Sequence, residues 1–576
     1  MKLHALQRAS WIEIFPPLTW LAEYKPSWLH RDAIAGVTLA AYAIPVSLAY
    51  AGLAGLPPQV GIYGYLLGGL GYALMGSSRQ LAVGPTSAIS LMIAGGVGAL
   101  AGGDAVRFAQ IASLSAFAVA LLCLIAWVFK LSILVRLVSD SILVGFKAGA
   151  GLTIITSQLP SLFGVASGGH NFLDRAIRLA GQIGNINPLV LAIGVVAIVL
   201  LFLGERFLTR RPVGLVVLAL SILLATLLGF PALGVPITGK IPGGLPALEL
   251  PTFGMLDFEE LFPIAAGCLL LAYIEGVSAA RSFAARHGYS IDVRQEFLGL
   301  GAANLAVAFG HGYPVAGGLS QSAVNDTAGA RTPLALVFCS LTLALCLLFF
   351  TELLTNLPRT VLAGIVIVAV YKLVDVRALL RMWKVSRIDF YAAAIALVSV
   401  LLLGILQGVL LAALASILLL LIRASRPNIA FLGRLPGSGR YSDSLRHDGV
   451  KPLVGVIAFR PEASLLYINA ETILETVLAT LRKSSDVRLV ACDLSASPYI
   501  DLAGARMLLD LYDELTSRHI AFCIVGAHAQ LRELLQAEGL AEKTDSNEWL
   551  RTIDAVLADD NASERLGLQD EWLAKQ

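Results

Sequence analysis

The chain has 576 residues, of which 57% are apolar and only 14% are charged. Soluble domains carry about a quarter charged residues, so this composition excludes an ordinary water-soluble protein. Disordered and collagen-like classes are also excluded, because most of the 54 glycines lie inside apolar runs. The net charge of +2 conceals an asymmetry: residues 1–427 hold 27 Lys and Arg against 18 Asp and Glu, whereas residues 428–576 hold 15 against 22. We predict a basic membrane part followed by an acidic soluble part, which argues against a nucleic-acid partner.

The sequence carries no pattern of an enzyme or of a metal site. Its six cysteines are scattered, and none has the Cys-x-x-Cys spacing of a metal or redox site. We find no Ser/His/Asp constellation, P-loop or dinucleotide-binding motif in a suitable context. We therefore predict a protein that is not an enzyme and that needs neither a metal nor a cofactor.

A long succession of apolar segments follows a polar and aromatic N-terminal segment, residues 1–32, which lacks a signal-peptide pattern. Many of the segments reach the roughly 20 residues that a bilayer core requires. They predict a transmembrane transport domain over residues 33–427. The fourteen predicted spans are 33–52, 59–76, 84–97, 107–129, 138–158, 187–204, 213–230, 261–280, 296–311, 318–329, 334–352, 358–374, 388–403 and 405–422.

The charges of the loops predict the orientation. An even number of spans puts both ends of the domain on one side, and the loops on that side carry 21 Lys and Arg. The opposite loops carry five, which are Arg107, Arg175, Arg178, Lys240 and Arg359. Because cytoplasmic loops are enriched in Lys and Arg, we predict a multi-pass protein of the inner (plasma) membrane with both termini in the cytoplasm.

Two of the predicted spans, 84–97 and 318–329, are too short to cross a membrane. They lie next to Gly84-Pro85 and Gly317-Gly318, and each is the third span of its half of seven. Broken helices at matching positions of two halves indicate an inverted-repeat transporter with a site at the midplane. Such helices direct free N–H groups and positive dipole ends at one point, which favours an anion. The alternative is that these are short segments with packing roles only.

Three stretches of sequence carry a family resemblance. Ala41–Gly64 reads AYAIPVSLAYAGLAGLPPQVGIYG, Met75–Met92 reads MGSSRQLAVGPTSAISLM, and Ile274–Thr332 contains GYPVAGGLSQSAVNDTAGART. These stretches resemble the sulfate permease (SulP-type) family of anion transporters. The resemblance implies a seven-plus-seven inverted repeat, a core that moves against a gate, a C-terminal STAS domain and a homodimer in membrane lipid.

The family's anion site, carried over onto matching positions, implies six substrate-binding residues. They are Val46, Tyr50, Thr86, Ser87, Ser320 and Gln321. Tyr50 would offer a ring and a hydroxyl, and the hydroxyls of the serines and of Thr86 would donate to an oxyanion. Pro45 is expected to break the first helix beside the site. Small hydroxylated residues also serve in packing between membrane helices, which is the alternative for these positions.

Two positions depart from the family's common pattern. Many members have Gln at the position of Val46, and many have Arg at the position of Gln321. A glutamine can donate two hydrogen bonds but neutralises no charge. Sulfate leads on family grounds, with bicarbonate and C4-dicarboxylates as alternatives, and a channel-like anion conductor is a further alternative.

Glu275 lies within the eighth predicted span, where a carboxylate is costly unless it is protonated, paired or facing water. Acidic residues at this position of related transporters are linked to proton or sodium coupling, so we predict that Glu275 couples transport to H⁺ or Na⁺. The alternative is a permanently protonated carboxyl. Lys147, in the fifth span, either balances Glu275 or snorkels to the cytoplasmic face, and snorkelling is the preferred prediction. His311 is predicted to be a solvated loop residue.

After residue 427 the composition changes to that of a small α/β domain. We predict a linker at 428–450, a STAS domain at 451–560 and a C-terminal tail at 561–576. Strand-like runs (453–459, 464–468, 489–494 and 521–525) alternate with helical stretches (471–483, 503–518 and 528–537). The run LVACDLSASPYIDLAGARMLLDLYDEL resembles a STAS domain, but Asp501 is followed by Leu502 where soluble relatives often have a phosphorylated serine. The helix that follows is expected to have an open N-terminus.

These observations predict a polytopic α-helical membrane protein with a small cytoplasmic STAS domain. The predicted function is secondary active transport of a small anion by alternating access.

Overall fold

The computed structural model describes residues 16–131, 139–169, 172–207, 213–251, 258–435, 441–444, 446, 449–484, 486–544 and 546–557. The first fifteen residues and the predicted tail at 561–576 lie outside the described residues. The chain divides into two compact units, Met1–Ile417 and Leu418–Gln576, so the division falls inside the last apolar helix.

The first unit is built from α-helices. Those of its first half are α1 (Pro17–Ala22), α2 (Pro26–Ala54), α3 (Pro58–Met75), α4 (Ser87–Ala101), α5 (Ala105–Val128), α6 (Asp140–Phe163), α7 (Phe172–Ala180), α8 (Pro188–Phe207) and α9 (Val213–Leu227). Those of its second half are α10 (Phe258–His287), α11 (Gln295–Phe309), α12 (Leu319–Thr327), α13 (Leu334–Phe349), α14 (Arg359–Val370), α15 (Val376–Val385), α16 (Arg387–Leu403) and α17 (Ile405–Ser425). Each of the fourteen predicted spans coincides with one helix, and α1, α7 and α15 have no predicted counterpart.

Five helices in the described part of the chain are long and apolar enough to cross a membrane. They are Pro26–Ala54, Ala105–Val128, Ser141–Phe163, Glu260–His287 and Ile405–Ser425. Large apolar side chains also point outward from shorter helices, among them Val196 on α8, Leu227 on α9 and Phe349 on α13. Helices that are apolar on their outer as well as their inner faces are suited to lipid. The unit is therefore a helical membrane domain, and the full count of fourteen crossings stays a prediction.

The membrane helices pack in two groups. In the first group, α3 packs against α11, α11 against α5, and α2 against α13. In the second group, α6 packs against α16 and α14, and α14 against α8. The groups meet where α2 and α4 contact α14, α9 and α6. We name them the core group and the gate group.

The two short helices begin directly after a pair of short strands, and we call this strand pair with the two helix starts the crossing. Strand β1 (Val83–Gly84) pairs antiparallel with strand β2 (Ala316–Gly317), and α4 and α12 begin directly after them. A side chain at Gly84 is excluded, because a Cβ there would lie 2.4 Å from the Tyr65 ring. The matching broken helices predicted from the sequence are thus present, and a short antiparallel ladder joins their starts.

The second unit contains a five-stranded sheet of order β4-β3-β5-β6-β7. The strands are β3 (Ile429–Arg434), β4 (Tyr441–Asp443), β5 (Val456–Pro461), β6 (Leu489–Asp493) and β7 (Ala521–Val525). Neighbours β5, β6 and β7 are parallel, and β3 is antiparallel to β4 and β5. The helices are α18 (Ala470–Lys483), α19 (Leu502–Ser517), α20 (Ala529–Ala537) and α21 (Ile553–Leu557). Alternation of helices with parallel strands gives the predicted α/β fold.

Three expectations for this unit differ from the structure. Part of the predicted linker at 428–450 forms β3 and β4, which extend the sheet. The run 464–468 is not a strand, and it contributes only a single parallel bridge from Leu465 to Ile500. The expected open helix end is also wrong, because the Asp501 carboxylate accepts hydrogen bonds from the N–H groups of Gly504 at 2.9 Å and Tyr467 at 2.8 Å. A carboxylate that caps the start of α19 disfavours an anion there.

Candidate functional site

The first part of the candidate site is the start of α4. Thr86 is the N-cap residue, yet its side chain makes no capping hydrogen bond. The Thr86 hydroxyl is buried and has no hydrogen-bond partner among the described residues. The Ser90 N–H donates to the Thr86 carbonyl at 2.9 Å, so the N–H groups of residues 87–89 have no intrahelical acceptor. The helix start therefore presents unused donors and a positive dipole end.

The second part is the start of α12, which follows β2. The Ser322 N–H donates to the Gly318 carbonyl at 3.0 Å and closes the first turn. Ser320 and Leu319 are exposed in this first turn, and Leu319 retains 57% of its accessible surface. The pairing of β1 with β2 brings this helix start next to that of α4. Ser320 is thus an accessible hydroxyl at the second of two neighbouring helix starts.

Gln321 holds the crossing together. Its Nε2 donates to the carbonyls of Ala82 at 2.9 Å and Ala316 at 3.1 Å, and its Oε1 accepts a hydrogen bond from the Tyr65 hydroxyl. Two backbone carbonyls on one side fix which end of the amide is the nitrogen. Both amide hydrogens are engaged, so the expectation that Gln321 donates two hydrogen bonds to an anion disagrees with this arrangement.

Helix α2 supplies Tyr50 and Val46, both of which are buried. The Tyr50 hydroxyl is hydrogen-bonded to the Ser87 side chain and interacts electrostatically with Glu275. The expected break at Pro45 is wrong, since α2 continues through it from Pro26 to Ala54. The surrounding helices keep α2 continuous, although the missing proline N–H leaves one carbonyl of the preceding turn without its helical donor.

Two further tyrosines, Tyr65 and Tyr313, adjoin the site and were missed by the sequence analysis. The Tyr313 hydroxyl is 3.0 Å from the Ser90 hydroxyl on α4, and Tyr65 interacts electrostatically with Tyr50 and Tyr313. Tyr313 belongs to the Gly-Tyr-Pro stretch already singled out for its family resemblance, so that stretch was the available signal. No pattern in the sequence around Tyr65 indicated its partner Gln321.

Glu275 and Lys147 interact electrostatically, although they lie on different helices. Glu275 lies on α10, and Lys147 lies on α6 of the gate group. Both side chains are partly buried. The described residues show no ion pair between the two side chains, so the choice between balancing of Glu275 and snorkelling stays a prediction.

His311 stands apart from these groups. It is exposed beyond the end of α11, with its Nε2 3.6 Å from an oxygen of Glu249, in keeping with a solvated loop residue. Among the described residues, no group of three or more His, Cys, Asp or Glu is arranged to hold a metal ion.

Comparisons with known proteins agree with these features. The model of the sulfate permease family matches residues 29–396, and the model of the STAS domain matches residues 448–555. A probable sulfate transporter of Mycobacterium tuberculosis is 33% identical over 93% of this chain and 96% of its own length. Probable sulfate transporter 3.3 of Arabidopsis thaliana is 29% identical over 91% of this chain and 86% of its own length.

Solved structures share the fold. The structure of SLC26A9 superposes with a TM-score of 0.87 at 20% identity, covering 99% of this chain and 96% of that one. The transmembrane domain of the cyanobacterial bicarbonate transporter BicA gives 0.60 at 24% identity, covering 68% of this chain and 98% of that one.

Fold and site together define an anion transporter with crossed half-helices in the membrane and an α/β domain after them. The chain belongs to the sulfate permease family. The resemblance inferred from the motifs is confirmed, as is the STAS domain, and members of this family are transporters rather than enzymes.

Proposed function

We propose that the chain is a secondary active transporter that carries a small oxyanion, sulfate first, bound between the starts of α4 and α12. The anion would accept hydrogen bonds from the hydroxyls of Thr86, Ser87 and Ser320 and from the free N–H groups of both helix starts. Tyr50 would close the site from α2, with Val46 as an apolar wall. The observation that carries the proposal is the buried Thr86 hydroxyl, which has no partner among the described residues.

An unsatisfied buried hydroxyl costs about 1–3 kcal/mol. An anion at the start of α4 removes this cost, because it accepts from Thr86 and from the neighbouring N–H groups together. The choice of sulfate is supported by relatives such as the probable sulfate transporter of M. tuberculosis. Bicarbonate is the second candidate, since Gln321 brings no positive charge to a site that would otherwise favour a divalent anion.

Glu275 and Lys147 give the site a charge that depends on a coupling ion. When Glu275 is ionised, the carboxylate offsets the ammonium of Lys147. When Glu275 is protonated or holds Na⁺, Lys147 contributes an unopposed positive charge, which favours an anion. The anion and the coupling ion therefore stabilise each other's binding, and this reciprocity is what symport requires.

The transport cycle would move the core group, with α4 and α12, past the gate group. The transport domain at 33–427 would work in a homodimer in the inner membrane, with both termini and the STAS domain at 451–560 in the cytoplasm. The excess of Lys and Arg in the loops on the side of the termini supports this orientation.

Uptake into proteoliposomes of the purified full chain tests the proposal. Labelled sulfate, bicarbonate and fumarate are offered in turn, each with and without an inward H⁺ or Na⁺ gradient. We expect gradient-driven accumulation of sulfate that is lost in Glu275→Gln. Glu260→Gln is the matched control, since Glu260 lies on the same helix and is exposed.

Each of the other outcomes would support a different function. Accumulation of bicarbonate or fumarate in place of sulfate transfers the proposal to that substrate. Equal accumulation in Glu275→Gln removes this residue from coupling. Passive conductance that does not depend on either gradient would show that the chain is a channel-like conductor and not a coupled transporter.

A further inference from the structure

The membrane unit contains a cavity of about 490 Å³ that is lined by none of the residues assigned to the transport site. It lies where α2 and α4 of the core group face α6 and α14 of the gate group. Its polar wall includes Thr156, Ser157, Ser161, Arg175, Thr238 and Arg359. The charged side chains in this lining are the two arginines, so the cavity has a net positive wall.

Arg175, on α7, is held in place with part of its guanidinium unsatisfied. Its Nε donates to the Gly169 carbonyl at 3.1 Å. One terminal nitrogen, Nη1, is buried and has no hydrogen-bond partner among the described residues. The neighbouring Asp174 carboxylate is engaged by Arg178 at 3.1 Å. Arg175 thus brings a positive charge and a spare donor to the cavity.

Gly169, in the described part of the chain before α7, lies against this arginine. Gly169 has φ +103°, a conformation that favours glycine. A Cβ at this position would also lie 2.8 Å from Cγ of Arg175. Burial lowers the pKa of Arg175, with the charge of Asp174 acting in the opposite direction. A partly desolvated cation with an unused donor is unfavourable unless an anion reaches it.

Arg359 is the first residue of α14, and hydrogen bonds to backbone carbonyls fix its position as well. Its N–H donates to the Pro236 carbonyl at 3.0 Å and its Nε to the Ile237 carbonyl at 3.0 Å. The Thr238 hydroxyl donates to the Leu357 carbonyl at 2.9 Å. These bonds fix a second guanidinium at the cavity wall. Neither arginine forms an ion pair with a carboxylate in the described ranges.

We propose that this cavity is a second anion site, in which Arg175 and Arg359 bind a small divalent oxyanion of the sulfate class outside the transport site. Two guanidinium groups recognise an oxyanion by charge-assisted hydrogen bonds that a monovalent anion satisfies less well. The choice of sulfate as the ligand rests on the proposed function. The existence of an anion site rests on the two arginines alone.

This site supplies what the transport site lacks. Gln321 is neutral and its amide hydrogens are engaged, so the crossing of α4 and α12 carries no guanidinium of its own. A preference for a doubly charged anion would then come from the two arginines of the cavity.

A thiol reporter in the cavity tests the proposal without any measurement of transport. All six native cysteines are buried, so Ser161→Cys gives a reactive thiol at the lining. The full-length protein in detergent is labelled with a cationic methanethiosulfonate at increasing sulfate, with ionic strength held constant by chloride. We expect sulfate to slow the labelling. The concentration for half-protection should rise about tenfold or more in Arg175→Gln and in Arg359→Gln.

Arg107→Gln is the control for loss of an arginine charge, because Arg107 is exposed on α5 and does not line the cavity. It should leave protection unchanged, and Ser87→Ala at the transport site should do the same. Unchanged protection in Arg175→Gln combined with Arg359→Gln would overturn the proposal, as would its loss in Ser87→Ala. The labelling rate without sulfate checks that each variant keeps its fold. If sulfate protects the thiol but is not transported, the second anion site is supported and the proposed function is wrong.

Discussion

The hydroxyl of Tyr65 on α3 donates to the side-chain oxygen of Gln321 on α12, while the Gln321 nitrogen donates to a carbonyl on each side of the β1–β2 crossing. One side chain of the second half therefore ties β2 to α3 and to the residue that precedes β1. Its role is to fix where the two helix starts lie, and the anion proposed between them would be held by their other donors.

Gln321→Leu should destabilise the membrane unit. The substitution removes three buried hydrogen bonds and leaves the Tyr65 hydroxyl without its acceptor, at about 1–3 kcal/mol for each buried group that loses its partner. The Ala82 carbonyl keeps a bond from the Gly318 N–H at 3.3 Å. We expect a lower thermal unfolding midpoint in detergent and loss of anion uptake. Tyr65→Phe removes only one of the three hydrogen bonds, so its midpoint should fall less. A Gln321→Leu protein with an unchanged midpoint would show that the hydrogen bonds of Gln321 contribute nothing to stability.

Thr86→Val separates a ligand role from a packing role. The Thr86 hydroxyl has no partner among the described residues, so its removal should leave the thermal midpoint unchanged or higher. Loss of one hydrogen bond to an anion should raise the KM for uptake about tenfold. Thr86→Ser is the control, since it keeps the hydroxyl and should keep the KM. A lower midpoint with an unchanged KM would assign Thr86 to packing.

Lys147→Gln should weaken anion binding, because it removes the positive charge that faces Glu275. Glu275→Gln should make uptake insensitive to the H⁺ or Na⁺ gradient. If the two residues act as a pair, the effects on KM in the double variant will differ from the sum of the single effects. Initial rates of uptake over a range of anion concentrations measure this coupling. Simple additivity would mean that the residues act independently.

Asp501→Ala should loosen the start of α19 in the C-terminal unit. It removes the acceptor for the N–H groups of Gly504 and Tyr467, a cap contribution of about 0.5–2 kcal/mol. Limited proteolysis of the full chain should cleave this unit faster. Asp510→Ala, an exposed position on the same helix, should not change the rate. Equal rates for both variants would contradict a stabilising cap.

Tyr441 makes the stability of the C-terminal unit depend on pH in the alkaline range. Its hydroxyl donates to the Asp554 carboxylate at 3.1 Å, and burial, then this carboxylate, raises its pKa to about 12. Since the folded-state value lies above the ordinary 10, the contact is at full strength below pH 10 and is lost as the pH rises towards 12. The thermal unfolding midpoint of the C-terminal unit should fall more steeply over this interval in the native chain than in Tyr441→Phe. In the variant the contact is absent at every pH, so an equal fall in both proteins would contradict the prediction.

Long apolar runs were sufficient to predict the membrane helices, because lipid imposes a length and a composition on every span. The short helices α4 and α12 were also predictable from Gly84-Pro85 and Gly317-Gly318. Helices α7 and α15 were missed, because each is short and alternates apolar with charged residues. Strands β3 and β4 were missed, because they lie in a stretch rich in Gly, Ser and Pro that is typical of a linker.

The arrangement of the candidate site depends on contacts that no local pattern records. The hydroxyls of Thr86 and Ser87 could be predicted because they belong to a motif. The hydrogen bonds of Gln321 and the electrostatic interaction of Lys147 with Glu275 are tertiary contacts, which a motif does not contain. Pro45 was expected to break α2, yet packing against neighbouring helices outweighs the local effect of one proline. For Asp501, the sequence placed the residue before a helix, and only the structure gave its two backbone donors.

The ladder between β1 and β2 constrains how any anion between α4 and α12 is released. Val83 is paired with Gly317 and Gly84 with Ala316, and Gln321 fastens the same junction. The two helix starts are thus parts of one rigid cradle, which cannot open by their separation. The donors of the cradle itself would then be the same towards both aqueous compartments. Any difference in affinity between the two sides would have to come from groups outside the cradle, such as Lys147 on the gate group.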